Sequence, residues 1–346
     1  PQSSGQAEWR GMEMFLQNQV RSGSPGLRMV HENFARNLAD IIGQGEHSGA
    51  TVLMTTVPVN LKDCPPFASQ HRPGLNAGQL DAWEKCFERG RQAQDASRFT
   101  DALTAYEEAG QIDRQFAELL FRRAICELAL TQTNAAADFG QARDQDTLRF
   151  RADSNINQTI RQIAASKGIT LIDAEQECAR HSADGIPGGT LFYDHVHLNF
   201  SGNYLVAAKF AAAIEKKLTG PANASDTPLL MEAEVARQLA LTDFDRRRVG
   251  EEMRLRLQQP PFASQINSLT RDEQWRKTLA GLEALPAQFD GEYQAALKLA
   301  PNDWVLHANY GRLLEAADED PAAAQQWQAV ARLLPSEPDA WFQLGN

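Results

Sequence analysis

Two residues return at a fixed interval near the end of the chain: Pro301 recurs as Pro335 and Gly311 as Gly345, each 34 residues on. Ala323 and Trp327 lie between them, a small and an aromatic residue four apart. A period of this length constrains the fold strongly. Each repeat is one supersecondary unit that cannot bury its apolar face alone and must stack on a neighbour. A second stretch has a similar beat, with Ala102, Tyr106 and Ala109 recurring 33 residues on as Ala135, Phe139 and Ala142. Small, large and small residues at three- and four-residue steps allow paired helices to pack closely.

These intervals and residue types resemble the tetratricopeptide repeat. The resemblance implies helical hairpins at both places and a protein partner bound by the C-terminal array. The last repeat stops at Asn346 within its first helix, and the chain opens at Pro1 without an initiator Met. It is therefore read as an internal fragment whose parent continues in both directions.

The remaining segments have a different rhythm. Leu27, Val30, Phe34, Leu38 and Ile41 mark an amphipathic helix with Gly43 and Gly45 as stop signals. Ala50 to Val57 then reads as a strand buried on both faces. The order repeats with a helix stripe at Ile156, Ile160 and Ile163, a stop at Gly168, and a strand from Ile169 to Ile172. Helices alternating with apolar strands predict a parallel α/β sheet, with ligands at the carboxyl ends of its strands.

Asp194-His195-Val196-His197-Leu198-Asn199, followed by Gly202 and an amphipathic run to Leu218, is the block that carries chemistry. A carboxylate three residues before an imidazole is how some hydrolases present a base and the group that orients it. The block resembles the D-x-x-H block of the SGNH (GDSL-type) hydrolases. The resemblance implies a three-layer α/β domain, catalytic roles for Asp194 and His197, a variable position at His195, and a Ser-His-Asp mechanism acting on ester bonds. The family's serine and oxyanion blocks would lie upstream of Pro1. An acyl ester, small molecule or polysaccharide, would be the substrate, and no cofactor is required.

The other candidates have plainer explanations. His195 and His197 form an H-x-H pair that can hold zinc, but only His307 lies downstream, inside a repeat helix, so no metal is expected. Cys64 sits in a proline-rich loop, and Cys64, Cys86, Cys126 and Cys178 have no metal-ligand spacing. Asn60 reads as a turn residue. Arg149 and Arg151 read as partners of nearby acids at a helix start capped by Asp153 or Ser154. A net charge of −11 argues against nucleic acid. No run of 18 apolar residues offers a membrane span. The compartment stays open, since a signal or anchor can precede Pro1.

The expected organisation is an SGNH-like α/β domain in two parts, residues 1–79 and 147–219, split by a tetratricopeptide-like helical insert at 80–146. A helical connector at 220–286 and tetratricopeptide repeats at 287–346 follow. The alternative is a non-catalytic scaffold binding protein partners, with a degenerate hydrolase domain.

Overall fold

The computed structural model describes residues 11–220, 230–282 and 285–345. The chain divides into two compact units, one formed by Pro1–Ala224 with Leu257–Ser268, the other by Ser225–Arg256 with Leu269–Asn346.

In the first unit, α1 (Pro25–His47) starts at Ser24, whose side chain accepts from the Leu27 amide. It runs straight through Gly43 and Gly45, the expected stops, and ends at Ser48. Strand β1 (Leu53–Thr55) follows. Four helices come next: α2 (Ala77–Asp95), α3 (Phe99–Ile112), α4 (Ala117–Ala129) and α5 (Ala135–Gln145). Within this group, α3 packs on α2, α4 on α3 and α5 on α4. Then α6 (Ser154–Lys167), capped by Asp153 and closed by Gly168 at φ 65°, leads into β2 (Thr170–Ile172). Helices α7 (Ala174–Arg180) and α8 (Phe200–Thr219) follow.

The three-layer parallel-sheet domain expected for 1–79 and 147–219 is not present. Among the described residues the sheet has two strands of three residues, paired in parallel with Met54 opposite Leu171. The physical reason lies in the apolar run itself. Only Met54 of β1 is buried, Leu53 and Thr55 are half-covered, and Thr51 and Val57 on either side are exposed. A strand covered on both faces would bury its whole run. Instead α1 and α6 clasp the strands through Ile42, Met54, Ile160 and Ala164. The fold is predominantly helical.

The second unit contains α9 (Glu232–Gln238), α10 (Asp243–Leu257), α11 (Ser268–Ala280), α12 (Asp290–Leu299), α13 (Trp304–Ala316), α14 (Asp320–Leu333) and α15 (Pro338–Gly345). Its core gathers Ala240, Phe289, Tyr293, Leu306, Leu313 and Ala323. The ring N–H of His307 donates to the Pro301 carbonyl at 3.0 Å, and 34 residues on the indole N–H of Trp341 donates to the Pro335 carbonyl at 3.0 Å. Leu306 and Ala340, also 34 apart, are both buried. The sequence period is thus a period of contacts.

A second device recurs across the two units. Gly90 on α2 faces the Tyr106 ring on α3, where a Cβ would come within 2.4 Å, and the Tyr106 hydroxyl donates to Gln94 Oε1. Gly311 on α13 faces the Trp327 ring on α14, with a Cβ at 2.9 Å, and the Trp327 indole donates to Glu315 Oε1. In each hairpin the aromatic lies 16 residues after the glycine and 12 after its acceptor. Helix pairs α2–α3 and α13–α14 are therefore built on one plan. In α4–α5, Phe139 sits at the aromatic position, while buried Arg123 stands where the glycine would be.

Candidate functional site

Asp194 and His197 lie in a loop ahead of α8 and not on the helix. Asn199 caps α8 by accepting from the Gly202 amide. The loop is closed by a bridge between Phe192 and Leu198, with Tyr193 N donating to His197 O at 2.8 Å and Asn199 N to Leu191 O at 2.9 Å. Gly202 is required at its place: a Cβ there would meet the Leu191 carbonyl at 2.4 Å.

Inside the loop, Asp194 Oδ1 accepts from the amides of Val196 (2.9 Å) and His197 (2.8 Å), a side-chain turn that points the carboxylate back along the chain. Its Oδ2 meets His197 Nδ1 at 2.7 Å. The carboxylate is buried, whereas the His197 side chain is 56% exposed. Burial pushes the Asp194 carboxyl up, but the His195 ring and the two amides outweigh it and hold the acid well below the usual carboxylate range. Asp194 is a fixed anion that can orient His197 and stabilise its protonated form.

The corner is tied to the loop after β1. Asn60, expected only to shape a turn, does more: its amide N donates to His195 O at 3.0 Å, its Nδ2 to Asp194 O at 2.9 Å, and its Oδ1 accepts from Asp63 N. Arg151 in turn donates to the carbonyls of Asn60 (2.9 Å) and Cys64 (2.7 Å) and pairs with Asp146. Arg149 donates to the carbonyls of Val20 and Asp144. Both arginines brace backbone. Cys64 is buried, with Gln265 Nε2 3.4 Å from its sulfur.

His195 is 6% exposed, and its ring is held edge-on by Phe67 (5.5 Å) and Phe262 (5.3 Å). Its Nδ1 lies 3.3 Å from Asp194 Oδ1 without an aligned hydrogen bond. Phe67 and Phe262 were missed in the sequence. Phe262 follows the Pro260-Pro261 break of the connector, and no local pattern links it to a histidine 67 positions earlier.

No protein-family model matches the chain, and no curated protein does. Among solved structures, the chain is similar to a thermophilic TPR protein of Thermus thermophilus at 14% identity, covering 76% of this chain and 97% of that one, with a TM-score of 0.19. It is also similar to the TPR2AB domain of yeast Sti1 in a pHSP90 complex, at 15% identity over 78% of this chain and 83% of that one, with a TM-score of 0.21. Superpositions this loose carry no argument. The repeat character of the hairpins rests on the recurring contacts described above. Nothing in the fold or these comparisons supports an SGNH hydrolase domain.

Proposed function

We propose that the chain is a protein-interaction scaffold of tetratricopeptide-like hairpins. The observation that carries this reading is the shared plan of α2–α3 and α13–α14, a glycine, an acceptor and an aromatic at constant spacing. Repeats of this kind stack into extended surfaces, and extended surfaces bind polypeptides. The apolar side chains exposed on α13 and α15, Trp304, Val305, Trp341 and Phe342, are the partner-binding candidates. Selection of a displayed random-peptide library on the chain tests this. Enriched peptides should bind wild type and lose at least about tenfold in affinity, some 1.4 kcal/mol, on Trp341→Ala with Phe342→Ser. Failure to enrich any peptide, or binding indifferent to that double variant, overturns it.

A second reading is favoured by the 2.7 Å contact between buried Asp194 and exposed His197. The pair would serve as a general base for an ester-hydrolysing parent protein whose serine lies outside this chain. His197 would take the serine proton and return it to the leaving alcohol, with Asp194 orienting the ring. In the longer parent, His197→Ala should then reduce ester turnover by about two to four orders of magnitude, with His195→Ala far milder. No loss in either variant removes this reading.

A further inference from the structure

The same corner has a property that neither reading uses. Three potential ligand atoms, a carboxylate oxygen of Asp194 and a ring nitrogen each of His195 and His197, lie within 4.8 Å of one another. One of them is only loosely held by the fold. His195 Nδ1 is buried and lies 3.3 Å from Asp194 Oδ1 without an aligned hydrogen bond, a costly condition for a ring nitrogen. Phe67 and Phe262 fix the ring, and the Asn60 amide fixes the His195 backbone, so this nitrogen cannot swing out to water. It is aimed at Asp194.

We propose that Asp194, His195 and His197 form a binding site for a single divalent cation of the zinc class. Two imidazole nitrogens and one carboxylate oxygen are the donor set that zinc accepts, and three protein ligands leave a position for water. Zinc holds its ligands at about 2.0–2.2 Å, so the 2.7 Å contact between Asp194 and His197 must open while the wider separations close, a shift that exposed His197 can supply by rotation. The Val196 and His197 amides on Asp194 Oδ1 provide the outer support that orients a ligating carboxylate. On binding, His195 presents the Nδ1 lone pair with its proton on Nε2, and any proton on His197 Nδ1 leaves to water. The histidine pair alone offers too few ligands, and Asp194 is the third. The site is independent of the scaffold reading. It competes with the base reading, because zinc occupies the contact between Asp194 and His197.

Competition between the metal-stripped chain and a chromophoric zinc chelator, at neutral pH, tests the proposal. One equivalent of Zn²⁺ should be taken up. His197→Ala, at an exposed position that leaves the fold intact, should weaken it by at least about tenfold, as should Asp194→Asn and His195→Ala. His181→Ala, whose side chain is 52% exposed, should not. Co²⁺ in place of zinc should give visible d–d bands without a thiolate charge-transfer band. Failure to take up an equivalent, uptake that survives His197→Ala, or a charge-transfer band that vanishes with Cys86→Ser would each overturn the site.

Discussion

At the scale of single residues, glycines with the same helical backbone have opposite roles. Gly90 and Gly311 each lie under an aromatic ring, so a methyl group at either must push that ring aside. Gly140 on α5 has nothing within 4 Å of a built Cβ. We expect Gly140→Ala to stabilise by up to about 1 kcal/mol through helix propensity. Gly90→Ala and Gly311→Ala should destabilise by about 1–3 kcal/mol through overpacking. Thermal melts of the three variants decide it, and a gain at Gly90 or Gly311 would contradict the close approach. Gly311 was legible because it recurs as Gly345, and Trp327 because it is an aromatic four residues after a small one. Gly90 was not singled out, since its approach to Tyr106 exists only once α2 and α3 pair.

Asp194 yields a second expectation at this scale. Its carboxyl is held below the usual range in the fold, so it stabilises at pH values above the ordinary carboxylate range, and that stability is lost as pH falls through its folded value. Asp194→Asn should cost about 1–3 kcal/mol near neutrality and progressively less toward acid. A penalty unchanged between pH 7 and strongly acidic conditions would contradict the charged, buried carboxylate.

At the scale of elements, the α4–α5 hairpin departs from its neighbours. Arg123 stands at the glycine position and pairs with both Glu127 (3.4 Å) and Asp138 (3.3 Å), two buried acids on one cation. Burial first, then Asp138 and the more distant Glu107, push the Glu127 carboxyl up against the pull of Arg123. Burial likewise raises Asp138 against Arg123 and Arg114. A raised acid stabilises the fold below its unfolded value, about 4.3 for Glu, and loses that contribution as pH rises through the folded value. Glu127→Gln should therefore melt higher than wild type at pH 7, with the advantage shrinking toward pH about 4. An advantage that grows on acidification would refute this. The sequence contained Ala135, Phe139 and Ala142 in phase but gave no sign that the hairpin encloses an ion cluster.

Element boundaries were harder to read. Helix α1 continued through two glycines, and β1 kept three residues of an eight-residue apolar run. An apolar β-branched run has the same appearance whether two layers cover it or one, and the decision rests on partners remote in sequence. The loop geometry of Asp194 and His197 was half visible. Their spacing was right, but the turn belongs to the Asp194 side chain and the helix waits for Asn199.

At the scale of the whole molecule, the charge argued against nucleic acid and the period identified repeats, yet two helix–strand alternations and one motif of four residues drew the fold class toward an α/β hydrolase. Local motifs fix side-chain geometry and leave the surrounding architecture open. This chain should not hydrolyse a short-chain aryl ester. Among the described residues, the side chain hydrogen-bonded to His197 is that of Asp194, and no serine or cysteine is bonded to it. Turnover above buffer that disappears on His197→Ala would contradict this.

The scaffold claim is tested most directly by hydrogen exchange of the chain with and without a peptide enriched on it. The account predicts slower amide exchange in α13 and α15 on binding, and none of that protection in the Trp341→Ala, Phe342→Ser variant. Protection confined to the loop around Asp194 and His197, with α13 and α15 unchanged, would contradict it.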